Sequence, residues 1–506
     1  MSTPVTSSPT TLTTGGQVRG TRVGAVHRYL GIPYAADPVG AARFRPPAKP
    51  DSWEGVRDCT AASPAPPQGP DFLLEGVVGV EPVATDEAGS LTVNVWTPAR
   101  SGRRPVMVWI HGGGYIQGWG TQPWTDGARL AERQDVVVVS LNYRIGALGW
   151  LYVPELLGDD YADCANLGLQ DQIAALAWVR DNIAHFGGDP ESVTVFGESA
   201  GGGSAAMLLG APAARPLLHR AILQSPPPRG VLDVQRAAAI AREYAGILRE
   251  RAGDDAAEAD VRTASPAQLL AAQEELVARH GLDLPLAPVV DGTVLPLPPI
   301  QALRNGSCAH IPVLAGTNEH EGRLFTALAP PVPPEAFDAA LTAAFPSPER
   351  GARARAVYEA HEGSGDGAAT ARLGALITDQ LFRAPTDALL EAQVAGGGRA
   401  WSYMFRWPTP VLGGVLGSAH TLDIPYVFDV LDTPGFSALL GDEPPRGLAS
   451  AMSGAWAHFA RHGRPSHELL PEWPEFEPSA RPTMILDAAP RVAEDPLGER
   501  RKVWAE

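Results

Sequence analysis

Ser199 lies at the centre of the pentapeptide GESAG, residues 197–201. A serine hydroxyl becomes an accessible nucleophile when a sharp strand-to-helix turn holds it, and such a turn needs small neighbours because backbone passes close to it. The apolar run VTVFG (193–197) precedes Ser199, and mainly small residues follow it up to Ala206. This context favours a nucleophilic serine over the alternative, a glycine-rich helix start that only packs against a sheet.

A second glycine-rich segment, HGGG (111–114), follows the apolar run VMVWI (106–110). Consecutive glycines allow backbone N–H groups to approach a substrate oxygen because no Cβ stands in the way. Together with the N–H of Ala200, they could bind the oxyanion of a tetrahedral intermediate. The alternative is a tight loop without a chemical role. We expect His111 itself to be structural, since it would lie beside such a site rather than behind the serine.

A nucleophilic serine needs a base, and the base needs a group that orients it. Hydrolases that carry this strand–turn–helix motif place the serine first in the chain, then the acid, then the histidine. Among twelve histidines, His420 is favoured because it lies in a loop after the predicted strand 400–405. Between the serine and His420, the segment AGTNEHEG (315–322) offers two carboxylates, Glu319 and Glu321. Their chemistry does not separate them.

The order of apolar runs and helical patterns predicts the elements that position these groups. Strand-like and helix-like segments alternate through the centre of the chain, which is typical of an α/β fold with a mostly parallel sheet. Ala-, Glu- and Arg-rich stretches at about 232–280 and 335–397 predict helical insertions over that sheet, and the last helix is expected at Arg446–His462. No change in composition marks a boundary, so residues 1–506 are interpreted as one elaborated domain. Further expected elements are strands at 106–110, 135–143, 193–197, 221–225, 312–316 and 400–405, and helices at 166–186 and from 200 onwards.

Composition narrows the class of function. The chain has 506 residues, 44% of them hydrophobic, which is enough apolar material for a large core. Its formal net charge of −17 opposes binding to phosphate backbones and to anionic membranes, so neither nucleic acid nor a membrane is expected as a partner.

The cysteines and the N-terminus bear on the compartment. Cys59, Cys164 and Cys308 show no CxxC or zinc spacing, so we expect three free, non-catalytic thiols and a reducing cytoplasm. The first seventeen residues lack the basic start and apolar core of a signal peptide. No cluster of ligand-type residues suggests a metal ion or an organic cofactor.

The chain resembles the type-B carboxylesterases, the family of bacterial p-nitrobenzyl esterases and animal carboxyl- and cholinesterases. The resemblance spans nearly the whole sequence, and its longest run is too idiosyncratic for a chance match. The matching segments are GIPYAADPVGAARFRPP (31–47), LTVNVWTP (91–98), VMVWIHGGGYIQG (106–118), VVVVSLNYRIGALGWL (136–151), NLGLQDQIAALAWVRDNIAHFGGDPESVTVFGESAGG (166–202), AGTNEHEG (315–322), HTLDIPYVF (420–428) and WAHFARHGRPS (456–466).

The resemblance implies an α/β-hydrolase fold and hydrolysis of small to medium carboxylic esters through an acyl-enzyme. It implies Ser199 as nucleophile, His420 as base and Glu321 as the acid of the triad, so the choice of Glu321 depends on the family. The implied oxyanion hole consists of backbone at the three residues Gly113, Gly114 and Ala200.

The expected substrate pocket is less well defined. Glu198 resembles a family residue at the floor of the active-site gorge, although it could serve only to hold local backbone. Trp119 and Trp124 follow the glycine loop and could line the acyl pocket; they could equally belong to the core.

Two other functions are compatible with the sequence. The chain could be a binding or adhesion member that keeps the fold without catalysis, but such members usually lose part of the triad, which is complete here. It could instead hydrolyse amides, carbamates or thioesters with the same residues. The sequence predicts a small ester as the partner and leaves open whether the protein is a monomer or a homodimer.

Overall fold

The strands are distributed along nearly the whole chain, the first at Thr10–Thr13 and the last at Arg491–Glu494. The computed structural model describes residues 8–253, 260–281, 283–327, 330–365 and 368–505. The strands are β1 (Thr10–Thr13), β2 (Gly16–Arg19), β3 (Thr21–Val23), β4 (Val26–Pro33), β5 (Val56–Asp58), β6 (Thr92–Thr97), β7 (Arg104–Ile110), β8 (Val137–Leu141), β9 (Gly188–Glu198), β10 (Arg220–Gln224), β11 (Leu232–Asp233), β12 (Val289–Val290), β13 (Val313–Asn318), β14 (Ala400–Phe405), β15 (Pro482–Leu486) and β16 (Arg491–Glu494).

Helices fill most of the connections between the strands. The α-helices are α1 (Ala128–Gln134), α2 (Gly146–Trp150), α3 (Pro154–Leu157), α4 (Leu167–Asn182), α5 (Ala200–Gly210), α6 (Val234–Ala252), α7 (Pro266–His280), α8 (Pro299–Arg304), α9 (Arg323–Thr326), α10 (Pro334–Ala344), α11 (Pro348–Glu362), α12 (Ala369–Ile377), α13 (Ala384–Ala395), α14 (Ile424–Val427), α15 (Ser437–Leu440), α16 (Arg446–His462) and α17 (Gly498–Ala505). Two π-helical segments, Phe72–Val78 and Thr378–Arg383, complete the part that bears on the site.

The main sheet of the described residues has eleven strands in the order β16-β15-β14-β13-β10-β9-β7-β8-β6-β4-β3. The strands from β15 to β8 in this order pair in parallel, and both edges are antiparallel. In parallel sheets the loops after the strands meet at the carboxyl edge, which is where ligands bind in open α/β folds. The predicted site segments follow β7, β9, β13 and β14, so the topology brings them to one edge.

Apolar side chains cover both faces of the sheet. In β7 the side chains of Val106, Val108 and Ile110 belong to one hydrophobic cluster, while Met107 and Trp109 belong to another. Successive residues of a strand point to opposite faces, so this continuous apolar run fills two cores at once. The segments of the predicted site therefore extend from a sheet whose two faces are both buried.

The bounds of several elements differ from the sequence prediction. The predicted strand 193–197 begins at Gly188, because the GGDP segment continues the pairing with β7 instead of forming only a turn. The predicted helix 166–186 is α-helical only to Asn182, and Ile183–Phe186 forms a 3-10 turn. The expectation that Arg446–His462 is the last helix is wrong, since α17 follows it.

Helices occupy most of the two stretches that were expected as insertions. Helices α6 and α7 lie within 232–280, where β11 also begins, and α10 to α13 lie within 335–397 apart from the first residue of α10. Residues 254–259 and 366–367 in these stretches lie outside the described residues, as do residues 1–7 of the expected non-signal N-terminus. No helix in the described residues is long and apolar enough to cross a membrane.

Candidate active site

The backbone turns directly from β9 into α5 at Ser199. Ser199 adopts φ 56° and ψ −124°, a conformation that side-chain-bearing residues rarely occupy and that stores strain. Its N–H donates to the carbonyl oxygen of Gln224 at 2.9 Å, which ties the turn to the neighbouring strand β10. Ser199 is only partly buried, so its hydroxyl is accessible at the sheet edge.

Two glycines make this turn possible. A Cβ at Gly201 would lie 2.0 Å from the carbonyl oxygen of Ile110, and one at Gly197 would lie 2.6 Å from the same oxygen. Neither position tolerates a side chain, because the obstructing atoms are backbone atoms, of Ile110 and His111 at Gly201 and of Ile110 and Gly201 at Gly197. The GxSxG spacing is therefore required by the contact between α5 and β7.

The glycine loop after β7 lies against the serine. A Cβ at Gly112 would be 3.1 Å from Cβ of Ser199. Gly113 and Gly114 have φ of 105° and 60°, which glycine adopts without strain. Within the described residues, no protein group accepts a hydrogen bond from the N–H of Gly113 or Gly114. The first N–H groups of a helix also lack intrahelical acceptors, which leaves that of Ala200 available beside them.

His111 packs against the glycine loop and contacts its backbone, as expected of a structural residue. Its ring is fully buried and stacks on Tyr143 at a centroid distance of 4.4 Å. Its Nδ1 lies 2.9 Å from the carbonyl oxygen of Gly112. Burial lowers the pKa of His111 to about 4, so the ring is neutral and donates from Nδ1 to that carbonyl.

His420 and Glu321 form a close buried pair. Nδ1 of His420 lies 2.6 Å from Oε2 of Glu321, and the two side chains are 5% and 0% exposed. The other carboxylate oxygen, Oε1, accepts a hydrogen bond from Ser225 Oγ and one from the N–H of Asn318, both at 2.6 Å. The carboxylate is thus held from both sides and can fix the tautomer of the imidazole so that Nε2 is free to accept a proton.

Glu319, the other candidate acid, has a different partner. Its carboxylate binds the guanidinium of Arg406, with distances of 2.9 Å from Nε to Oε2 and 2.7 Å from NH2 to Oε1. The intervening His320 is mostly buried, and burial lowers its pKa to about 4. The geometry therefore separates the two glutamates that the sequence left equivalent: only Glu321 contacts His420.

Glu198 faces the other ring nitrogen of the histidine. Its Oε1 lies 3.3 Å from Nε2 of His420. Burial raises the pKa of Glu198 to about 8, and the positive charge of His420 opposes that rise. Burial disfavours the imidazolium, but the carboxylates of Glu198 and Glu321 outweigh it and raise the pKa of His420. The protonation of His420 is therefore controlled by two carboxyl groups.

A third buried carboxyl group, Asp423, lies beneath this pair. It accepts hydrogen bonds from Gln224 Nε2 at 2.8 Å and from the Tyr403 hydroxyl at 3.2 Å. Trp456 donates to the other side of the Gln224 amide at 3.1 Å. Burial, reinforced by the nearby Glu321, raises the pKa of Asp423 to about 6. This network connects the loop of His420 to Gln224, the last residue of β10.

Sequence reasoning missed several residues that contact the triad candidates. Ser225 and Asn318 bind Glu321, and two phenylalanines flank the His420 ring, Phe382 at a centroid distance of 4.6 Å and Phe325 at 5.7 Å. Phe325 is 39% exposed and lies four residues after Glu321, a proximity that could have identified it. Phe382 comes from the π-helical segment Thr378–Arg383, for which the sequence holds no comparable signal.

The tryptophans of the expected acyl pocket lie in the core. Trp119 and Trp124 are 4% and 5% exposed and belong to the same hydrophobic cluster as Met107 and Trp109. The pocket role suggested for Trp119 stays a prediction. Among the described residues, no group of three or more His, Cys, Asp or Glu side chains could hold a metal ion.

The sheet order, the strained serine at a strand-to-helix turn and the paired histidine and glutamate at the carboxyl edge define a serine hydrolase of the α/β-hydrolase class. The model of the carboxylesterase family matches residues 7–504. The chain therefore belongs to the carboxylesterase family, and it is a carboxylic-ester hydrolase. The family, the fold class and the enzyme class predicted from the sequence are thereby confirmed.

Individual members of the family are similar to this protein over nearly its full length. The para-nitrobenzyl esterase of Bacillus subtilis is 37% identical over 96% of both chains. The fumonisin B1 esterase of Sphingopyxis macrogoltabida is 36% identical over 92% of this chain and 84% of that protein. Among solved structures, a carboxylesterase of Geobacillus stearothermophilus superposes with a TM-score of 0.84 at 36% identity, covering 98% of this chain and 99% of that one.

Proposed function

We propose that Ser199, His420 and Glu321 form the catalytic triad of this esterase. Ser199 Oγ attacks the ester carbonyl while Nε2 of His420 takes its proton and returns it to the leaving alcohol. Glu321 keeps Nδ1 of the imidazole protonated and stabilises the imidazolium. Water then repeats the sequence on the acyl-enzyme and releases the acid. The observation that carries the proposal is the 2.6 Å contact between His420 Nδ1 and Glu321.

The proposed oxyanion hole consists of the N–H groups of Gly113, Gly114 and Ala200. Its support is their position: the glycine loop lies against Ser199, and two of these donors lack a protein acceptor in the described part of the chain. Donors of this kind stabilise the charge that develops on the carbonyl oxygen, and each contributes about 10²–10³ in turnover.

Stoichiometric labelling tests the nucleophile. An organophosphate that phosphorylates a reactive serine is expected to add one adduct per chain and to abolish activity in parallel. Peptide mass spectrometry should locate the adduct on Ser199, and the Ser199→Ala variant should take up none. An adduct on another residue at full inactivation would contradict the assignment.

The substrate proposed is an uncharged ester of small to medium size. Two relatives are named as esterases, the para-nitrobenzyl esterase and the fumonisin B1 esterase, which supports an ester as the substrate. The aromatic pair Phe325 and Phe382 beside His420 gives the site an apolar wall, which suits acyl or alcohol groups without charge. A panel of p-nitrophenyl esters graded by acyl length would define the upper size limit.

Amides, carbamates and thioesters are the competing substrate classes. An amine is a poorer leaving group than an alcohol, so amide cleavage demands more from His420 as general acid. We expect turnover of an ester to exceed that of its matched amide by several orders of magnitude. Equal rates on the matched pair would contradict this preference and add amides to the proposed substrates.

We also propose that the protein works in a reducing cytoplasm as a single domain. The three cysteines Cys59, Cys164 and Cys308 are buried and free, and burial raises the pKa of Cys59 and of Cys308 to about 11. Such thiols neither react readily nor form disulfides. A single domain should unfold in one cooperative transition, and two transitions would contradict it. If the three thiols are free, dithiothreitol should leave the midpoint of that transition unchanged, and a lowered midpoint would contradict this part of the proposal.

A further inference from the structure

The loop that carries Gly113 and Gly114 is closed by contacts between its two ends. Within it, the carbonyl oxygen of Gly113 accepts from the N–H of Ile116 at 3.1 Å and of Gln117 at 3.0 Å. At its far end, Gly118 packs so closely on the start of the loop that a Cβ there would lie 2.4 Å from Nδ1 of His111. Displacement of Gly118 would therefore be transmitted to the whole loop.

One side chain binds both polar atoms of Gly118. The N–H of Gly118 donates to Oε1 of Gln68 at 2.7 Å, and Nε2 of Gln68 donates to the carbonyl oxygen of Gly118 at 3.0 Å. In the described residues, these are the hydrogen bonds that Gly118 makes, since it belongs to neither a helix nor a strand. A buried backbone amide left without partners is costly. Gln68 thus takes the place that a neighbouring strand would occupy.

Gln68 is itself well anchored. Its side chain is 8% exposed, and Nε2 also donates to the carbonyl oxygen of Pro66 at 3.2 Å. Three residues earlier, Ala65 is fixed by hydrogen bonds to the backbone of Ala84 and Asp86 at 2.8 and 2.9 Å. The amide is therefore held in place before a substrate arrives.

We propose that Gln68 is a positioning residue for the oxyanion hole: its bidentate amide fixes Gly118 and thereby the N–H groups of Gly113 and Gly114. The inference rests on the proposed assignment of that hole. Misplacement of catalytic donors by about 1 Å can cost about 10²-fold in rate. The effect should fall on the transition state, where the oxygen is charged, and spare the binding of the neutral ester.

The test compares Gln68→Met with Gln393→Met. Methionine keeps the length of glutamine without its hydrogen bonds. Gln393 is a matched control, because it is 1% exposed and its Nε2 donates to the carbonyl oxygen of Ile311 at 2.8 Å, away from the loop. For each protein, kcat and KM are measured on p-nitrophenyl butyrate, together with the inhibition constant of an aliphatic trifluoromethyl ketone and the rate ratio of an ester to its thionoester.

Gln68→Met is expected to lose about 10- to 100-fold in kcat with KM within about twofold. The ketone should bind more weakly by the factor lost in kcat/KM, because its tetrahedral adduct uses the same donors. The ester-to-thionoester ratio should shrink, since a displaced hole discriminates less between oxygen and sulfur. Gln393→Met should lower the melting temperature and leave all four quantities, kcat, KM, the inhibition constant and the rate ratio, unchanged.

A folded Gln68→Met enzyme with wild-type kcat, or with reduced kcat but unchanged ketone affinity, would overturn the inference. Should Gln68→Met fail to fold, Gln68→Asn carries the same prediction, because its amide is one methylene too short to reach both atoms of Gly118. Failure of the hole assignment itself gives a different pattern: a folded Gly113→Ala variant, whose Cβ would lie 2.1 Å from the carbonyl oxygen of Gln117 and so displace this loop, would also keep the wild-type kcat and ketone affinity.

Discussion

The Glu321 carboxylate contacts His420 Nδ1 through one oxygen, at 2.6 Å, and accepts two hydrogen bonds through the other. The donors of those two bonds, Ser225 Oγ and the N–H of Asn318, belong to the loop after β10 and to the end of β13. The orientation of the His420 ring therefore depends on three segments that meet at the carboxyl edge of the sheet. They are the loop of His420 itself, the segment at the end of β13 with Asn318 and Glu321, and the loop after β10 with Ser225.

Substitution of the two glutamates distinguishes their roles. Glu321→Gln keeps the shape of the side chain but loses the charge that orients and stabilises the imidazolium, and such a loss in a triad costs about 10⁴ in kcat. Glu319→Gln breaks an ion pair with Arg406 that does not touch the histidine, so kcat should stay within a few-fold of wild type. Steady-state rates on a p-nitrophenyl ester measure both, and the reverse ranking would contradict the assignment of the acid.

Ser225→Ala removes one of the two hydrogen bonds that hold Glu321. A hydrogen bond to a charged group contributes about 1.5–3 kcal/mol, and with Asn318 still in place we expect kcat to fall by about tenfold. Ser402→Ala is the control, since Ser402 is also buried but its hydroxyl accepts from Thr483 on the neighbouring strand. Equal kcat for the two variants would show that Ser225 does not orient the acid.

The pH profile reports the charges around the base. His420 must be neutral to accept the serine proton, and its pKa is raised, so kcat/KM should fall with decreasing pH at a value above the usual 6.5 of histidine. Glu198, whose own pKa is raised to about 8, favours the imidazolium to the extent that it is ionised, and Glu198→Gln removes that contribution. The pKa of His420 should then fall and the acid limb should move to lower pH. An unchanged acid limb would mean that Glu198 carries no charge in this range.

The glycine after the serine turn is expected to be required for full stability. The Cβ introduced by Gly201→Ala would lie 2.0 Å from a backbone oxygen, and overpacking of this kind typically costs about 1–3 kcal/mol. Gly246→Ala in α6 meets nothing within 4 Å and should stabilise the helix by about 0.5–1 kcal/mol. Thermal unfolding of the two variants should give midpoints on opposite sides of wild type.

Local signals explain what could be predicted. The strand-to-helix turn at Ser199 was predictable because strand, small residues and helix start lie within twenty residues of it. The chemistry of the segment could not choose between Glu319 and Glu321, and only the family resemblance pointed to Glu321, because Arg406, which engages Glu319, lies 87 residues away along the chain. For the same reason the contacts of Gln68 and Phe382 could not be read from sequence: each depends on how distant segments meet. The C-terminal helix α17 was missed because it is only eight residues long and half of those residues are charged.

The kinetic consequence of Ser199→Ala tests the central claim most directly. Loss of a triad nucleophile costs on the order of 10⁶ in turnover. We expect purified Ser199→Ala to have wild-type secondary structure and an unfolding midpoint at or above that of wild type. Alanine keeps the backbone hydrogen bond to Gln224 that holds the turn. Its rate on a p-nitrophenyl ester should approach the uncatalysed background. A folded variant that retained a tenth of the wild-type rate would show that another group attacks the ester.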